Sequence, residues 1–284
     1  MRAKRVCIFV TAFFAFLILL SVVFTLFQKE MPVGDKVALV RVEGPILEAK
    51  SVVEEIKGYA KNKSIKAIVL RVNSPGGGVV PSQEIYDEVK KTAAAKKVVV
   101  SMGSVAASGG YYISSPASRI IANPGTITGS IGVIMEVPNV KGLMDKIGVK
   151  AEVIKSGKHK DIASVFRGIG KEEREILQGV MDDVHEQFIG AVSEGRRMPV
   201  EEVRKIADGR IFSGRQAIKA GLVDELGDLE DAIKTAAKMV GIKGEPEVVT
   251  KKERSAILDL LNGKIPEGVS RIMPGTQLKY MFGE

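Results

Sequence analysis

The sequence predicts an α/β domain built on a parallel sheet, joined to an N-terminal transmembrane helix. Three observations predict it. Residues 6–27 form one uncharged apolar run. Beyond it, short β-branched runs alternate with amphipathic stretches. Glycine clusters fall directly after several of the strand-like runs. Alternating strands and helices argue βαβ units, and glycines past strand ends let the backbone turn and leave its N–H groups free.

The elements follow in order. Residues 1–5 carry Arg2, Lys4 and Arg5 and read as a short cytoplasmic N-terminus. At 1.5 Å per residue the run 6–27 spans about 33 Å, enough for a bilayer core. It ends in Thr25-Leu26-Phe27-Gln28-Lys29-Glu30, without the small-residue exit of a cleaved signal, so it reads as an uncleaved anchor. Three basic residues precede it and only Lys29 follows at once, which places the rest of the chain outside the cytoplasm. The expected location is the cell membrane, single-pass, with an extracytoplasmic domain. Cys7 lies in the anchor and reads as an inert buried thiol. Residues 28–36 form a linker.

Strands are expected at 37–42, 67–72, 98–101, 120–122, 132–135 and 151–154. Helices are expected at 52–60, 82–95, 171–197, 200–207, 214–220 and 229–240. In the longest helix Ile176, Val180, Val184, Phe188 and Ala191 recur at helical spacing and predict one buried face. His185 lies beside that face and reads as structural. The main domain covers 37–243. Residues 244–284 form a C-terminal extension rich in Pro, Gly and Lys, with a helical run at 256–261 and a mobile or neighbour-packed end.

Composition removes whole classes of function. The 284 residues are 27% charged and 45% hydrophobic, the balance of a folded chain. One cysteine excludes an intrachain disulfide and a cysteine zinc site. Two histidines, His159 and His185, argue against histidine-rich metal sites. No tryptophan is present, and the net charge of +8 falls to about +5 without Arg2, Lys4 and Arg5. That excess forms no basic stripe with reading residues, so no nucleic-acid partner is expected. Neither G-x-x-x-x-G-K-[ST] nor G-x-G-x-x-G occurs, so no nucleotide is expected either. The expected cofactor and metal content is none.

The chemistry is carried by small residues. Asn73-Ser74-Pro75-Gly76-Gly77-Gly78, Gly103 to Gly110, and Thr128-Gly129-Ser130-Ile131-Gly132 are the glycine-rich places. Ser108 sits where a strand gives way to a helix, with the Gly109 amide beside it. A nucleophile next to amide donors describes acyl transfer, and a serine needs a base. The base is either an imidazole or a neutral lysine. Lys155, Lys158, His159 and Lys160 cluster after the 151–154 run, and chemistry alone leaves all four open.

These motifs, with Ser156-Gly157-Lys158-His159-Lys160-Asp161 and the stretch Ala207 to Gly227, resemble the small bacterial signal peptide peptidases of peptidase family S49. The resemblance covers most of 37–240. It implies a crotonase/Clp-protease-like ββα superhelix behind the membrane helix. It implies that Ser108 is the nucleophile, Lys160 the general base and Ser130 the serine that holds the lysine amine. Oxyanion donors would be Gly109 and either Gly76 or Gly77. It also implies a ring-shaped homo-octamer in which neighbouring protomers contribute serine and lysine. The expected substrates are remnant signal peptides and other short hydrophobic peptides. Broader membrane-protein quality control, a non-catalytic membrane scaffold and an acyl-CoA hydratase or isomerase are the rival readings.

Overall fold

The longest apolar runs form strands because both of their faces are covered. Val37, Leu39, Ala67, Val69 and Val99 face one side of the sheet, while Ala38, Val40, Ile68, Leu70 and Val100 face the other, and all are buried. Such near-continuous runs are what a parallel strand covered on both faces requires. This is a computed structural model. It describes residues 35–251, Phe13, 16–19 and Ser21, and the backbone of 279–281.

In chain order the elements are β1 (Lys36–Glu43), α1 (Lys50–Lys61), β2 (Ile65–Ser74), β3 (Gly76–Gly78), α2 (Val79–Ala95), β4 (Lys97–Ala107), α3 (Gly109–Ser114), β5 (Arg119–Ala122), β6 (Ile127–Gly129), α4 (Lys141–Ile147), α5 (Lys171–Arg196), α6 (Val200–Arg204), β7 (Ile211–Ser213), α7 (Gly214–Lys219), β8 (Glu225–Leu226), α8 (Leu229–Met239), β9 (Glu247–Thr250) and β10 (Lys279–Met281). The main sheet runs β7-β6-β4-β2-β1-β9. One edge of β4 is shared. β5 pairs with its first half, Val99 to Met102, and β6 with its end, Val105 to Ala107. All these pairings are parallel except β6 with β7.

One face of the sheet is covered by α8 through Ala232, Ile233, Ala236 and Ala237. The other carries the larger core, to which α1, α2, α3 and α5 contribute. Within it Tyr112 of α3 stacks between Tyr86 of α2 and Phe188 of α5, with ring centroids 4.9 Å apart on both sides. Phe188 is fully buried. Its truncation would open a cavity between α5 and the helix that follows Ser108. Phe188→Ala is expected to destabilise the fold by about 3–5 kcal/mol, read as a lowered urea midpoint with an unchanged slope.

The structure corrects several expectations. Residues 132–135 and 151–154 are not strands: apart from a bridge at Ile134 they have no regular structure, and Ile134, Val153 and Ile154 are exposed. Neither run has a ladder partner among the described residues. The buried face of α5 is only half as long as its periodicity suggests. Val184, Phe188 and Ala191 are buried, whereas Ile176 and Val180 stand in solvent. β4 runs on to Ala107, so most of the Ala/Gly-rich segment is strand. α2 starts at Val79, three residues earlier than expected.

The chain divides into two units at Asp35/Lys36. In the first, Phe13, 16–19 and Ser21 are helical and exposed. Most of the anchor expected at 6–27 lies outside the described residues, as does the helix expected at 256–261. Among the described residues no helix is long and apolar enough to cross a membrane.

Candidate active site

Ser108 closes β4 and caps α3 with φ 53° and ψ −118°. A non-glycine residue at positive φ is strained and stays there only when its surroundings hold it. Two backbone bonds do so: the Ser108 N–H donates to Gly129 O at 2.8 Å, and the Ser108 carbonyl accepts from Tyr112 N at 2.8 Å. Close packing behind the turn adds to this. A Cβ on Gly110 would sit 2.7 Å from the Ser74 carbonyl oxygen, so only glycine lets α3 approach the end of β2. The Ser108 hydroxyl has no hydrogen-bond partner among the described residues.

The glycine strand β3 lies beside this turn. Ile46 N donates to Gly76 O and Gly78 N donates to Ile46 O, each at 2.8 Å. This parallel bridge faces the outer residues of β3 toward Ile46 and turns the N–H and C=O of Gly77 to the opposite edge. A Cβ on Gly77 would lie 2.1 Å from Ile46 O, which requires glycine there. The two candidate amides therefore differ. Gly76 N–H donates to Ser74 Oγ at 3.1 Å, whereas Gly77 N–H faces the edge opposite Ile46. β10 runs antiparallel along β3, with Tyr280 opposite Gly77.

Ser130 is the second strained serine, at φ 50°. It directly follows Gly129, which is in register with Ala107, so the structure brings Ser108 and Ser130 to the ends of adjacent parallel strands. The Ser130 N–H donates to Arg210 O at 2.8 Å. That contact explains why the 207–217 stretch belongs with the site: it fixes the backbone of the second serine.

Lys160 is not brought to either hydroxyl within this chain. It is exposed, in a loop of successive turns whose links include Lys160 N to Gly157 O at 3.1 Å and Ile162 N to His159 O at 3.0 Å. Ala163, in the same loop, is a further non-glycine residue at positive φ. The loop's cations are treated unequally. Lys155 is paired with Asp161, Lys158 with Glu172, and His159 Nε2 lies 3.2 Å from Glu172. Lys160 Nζ has no partner among the described residues. Of the three lysines, Lys160 is the one that no carboxylate engages among the described residues.

Sequence reasoning missed Arg167 and Glu173. Arg167 Nε donates to Asp161 Oδ2 at 2.9 Å and its Nη1 to Glu173 Oε2 at 2.7 Å. The Arg167 guanidinium and then Lys155 hold the Asp161 carboxyl well below the usual carboxylate range. Arg167 and then the Gly170 N–H lower Glu173 to about 2. One signal was available: an arginine six residues from an acid on either side, across a segment without periodicity.

A cavity of about 580 Å³ lined by Lys66 and Lys97, and one of about 450 Å³ lined by Lys97 and Arg196, lie at the N-terminal end of β4, the other end of that strand from Ser108. Ser108 lines neither of these cavities. Among the described residues no three of His, Cys, Asp and Glu gather where a metal ion could sit. An unbonded serine hydroxyl, outward amides and an unpaired amine are the groups of serine acyl transfer.

The sequence pattern of peptidase family S49 matches residues 90–243, and that of Clp protease matches 38–128. The chain belongs to peptidase family S49. A Synechocystis protein named for protease activity is 47% identical to this S49 chain over 209 residues, covering 73% of this chain and 75% of that one. An Enterococcus faecium protein that carries the name of a signal peptide peptidase, SppA, is 40% identical over 188 residues, 65% of this chain and 54% of its own. Protease 4 of Salmonella typhi is 34% identical over 263 residues, which is 85% of this S49 chain and 42% of Protease 4.

Proposed function

We propose that this S49 chain is a membrane-anchored serine endopeptidase that uses Ser108 and Lys160 to cleave short hydrophobic peptides outside the cytoplasm, remnant signal peptides among them. The observation that carries the reading is the Ser108 turn. Its hydroxyl is held on a strained backbone at a helix start, beside an edge strand of glycines. The name of the Enterococcus relative supports the substrate class.

The mechanism follows from these groups. Neutral Lys160 Nζ takes the proton from Ser108 Oγ as the oxygen attacks the scissile carbonyl carbon. The N–H groups of Gly109 and Gly77 donate to the developing oxyanion. In this reading Gly77 is the donor of the glycine pair: the Gly76 N–H is held by Ser74, whereas Gly77 lies on the edge along which β10 runs, and substrate takes the place of β10 there. Protonated Lys160 then donates to the leaving amine. Water attacks the acyl-enzyme as Lys160 accepts its proton, and Lys160 returns that proton to Ser108 Oγ as the ester bond breaks and the carboxylic acid is released. The Ser130 hydroxyl oxygen accepts from the lysine amine and aims it at Ser108. An extended peptide would displace β10 and pair with β3 by backbone hydrogen bonds in its place.

In this reading Lys160 serves the Ser108 of a neighbouring copy. Two observations support that. Lys160 has no bond to its own site. Val149, Val153, Ile154 and Phe166 around its loop, with Ile176 and Val180 on α5, are exposed apolar side chains that a second copy would cover. The ring of eight is the size expected from the family.

An electrophilic fluorophosphonate probe tests the chemistry on the full-length chain in detergent. The expected result is a single adduct on Ser108, lost in Ser108→Ala, with peptide cleavage lost in proportion to labelling. Cleavage that survives complete labelling, or an adduct on another residue that tracks the loss, would remove Ser108 from its role.

A further inference from the structure

We propose that Arg167 is a positioning residue for Lys160: its guanidinium ties the Lys160 loop to the start of α5 and keeps Asp161 from capturing the neighbouring amine. The inference deepens the proposed function and rests on Lys160 being the base.

The geometry is a chain of charge-assisted bonds. α5 is rooted in the core by Val184, Phe188 and Val192. Glu173, in its first turn, accepts from Gly170 N at 3.0 Å and from Arg167. Arg167 in turn donates to the Asp161 carboxylate and, at 3.1 Å through Nη2, to the Asp161 carbonyl oxygen. It also donates to Gly168 O at 3.0 Å. One planar fork thus fixes side chain and backbone of the residue next to Lys160, in a segment with no helix or strand to fix it. Both Asp161 and Glu173 are nearly buried, with about a tenth of each side chain exposed. That places these bonds where screening by water is weak.

The second effect is electrostatic. The charged groups around the loop are Lys155, Lys158, His159, Asp161 and Arg167 on the loop itself and Glu172 and Glu173 on α5. Asp161 Oδ1 is taken by Lys155 and Oδ2 by Arg167. Glu172 is taken by Lys158 and His159. The three carboxylates bonded within the loop and the first turn of α5, Asp161, Glu172 and Glu173, are therefore already engaged. Without Arg167, Asp161 regains an open oxygen one residue from the amine, and a carboxylate within about 4–6 Å favours the charged lysine by about 1–3 pH units.

The test follows cleavage of a hydrophobic fluorogenic peptide by the full-length enzyme against pH. Arg167→Ala is expected to lower kcat about 10–100-fold with KM within about twofold, and to move the acid limb of the kcat profile about one pH unit or more toward alkali. Methylguanidinium added to Arg167→Ala is expected to restore part of the turnover, and Arg167→Lys to restore little, because an ammonium lacks the fork. Arg204→Ala, which breaks a surface pair with Glu186 at the other end of α5, is the control and leaves both parameters unchanged. Asp161→Asn guards against a variant that fails to fold. It loses the bridge but supplies no carboxylate, so kcat falls without the alkaline shift. Wild-type kcat and profile in Arg167→Ala or in Asp161→Asn, with Lys160→Ala inactive, would overturn the clamp and leave the base in place. An active Lys160→Ala would overturn both.

Discussion

Lys160→Ala is expected to lower turnover about 10³-fold or more, while His159→Ala keeps most of it. A positioned general base contributes about 10²–10⁴-fold, and here the same amine also protonates the leaving group. His159 is the imidazole candidate in the loop, and its Nε2 already faces Glu172 at 3.2 Å. The wild-type rate is expected to rise from neutral into alkaline pH as the amine loses its proton, and no such rise should remain in Lys160→Ala. The loop carboxylates cannot mimic this rise. Asp161 and Glu173 have folded pKa values below their unfolded ones, so their stabilisation is fully present above the unfolded values and is lost only as pH falls, toward about 2 for Glu173. Peptide cleavage by the two variants, each measured across pH 6–10, decides the matter. Full activity in Lys160→Ala with an inactive His159→Ala would make His159 the base.

The parts of the fold that were legible share one property: the chain buries them itself. β1, β2 and β4 read as strands because both faces are covered from within the molecule, so their apolar runs carry no ambiguity. The second half of α5 read correctly for the same reason. The errors fall where apolar residues have no ladder partner among the described residues. Gly132 to Met135 and Ala151 to Ile154 have the composition of strands, but strand formation depends on a neighbour to pair with. Ile154 is fully exposed, at 103% of its reference area. A single sequence records that a side chain needs cover, not which molecule supplies it.

The site divides in a similar way. Ser108, Ser130 and the glycines were legible because each marks a backbone event: a strand end, a positive φ, or an approach too close for a Cβ. Between Gly76 and Gly77 the sequence gives no preference, since the distinction is which edge of β3 each amide faces, and that depends on Ile46, thirty residues upstream. Arg167 was invisible for another reason. Its work is done by the direction of one guanidinium toward Asp161 and Glu173, and charged residues on an irregular segment ordinarily read as solvated surface.

Mixing two inactive variants is expected to restore activity. Ser108→Ala keeps its lysine and Lys160→Ala keeps its serine. When each site takes Ser108 from one copy and Lys160 from the next, co-assembly of equal amounts makes a site intact whenever a Lys160→Ala copy is followed by a Ser108→Ala copy. Random placement in a closed ring gives that arrangement at about a quarter of sites, so co-expressed variants should reach about a quarter of wild-type specific activity. A site completed within one chain gives none, because every chain then lacks one of its two groups. The same surface that delivers the lysine should be needed for the recovery. Ile154→Asp placed in both variants puts a charge on an apolar side chain that is bare in the single chain, and desolvating that charge opposes assembly. Complementation should then disappear together with the large species in size-exclusion chromatography. Zero activity in the mixture, from chains that still co-assemble, would place serine and lysine in the same protomer. The 148–166 segment would then have to fold back over the β3 edge, and its exposed apolar residues would cover the peptide rather than join two copies.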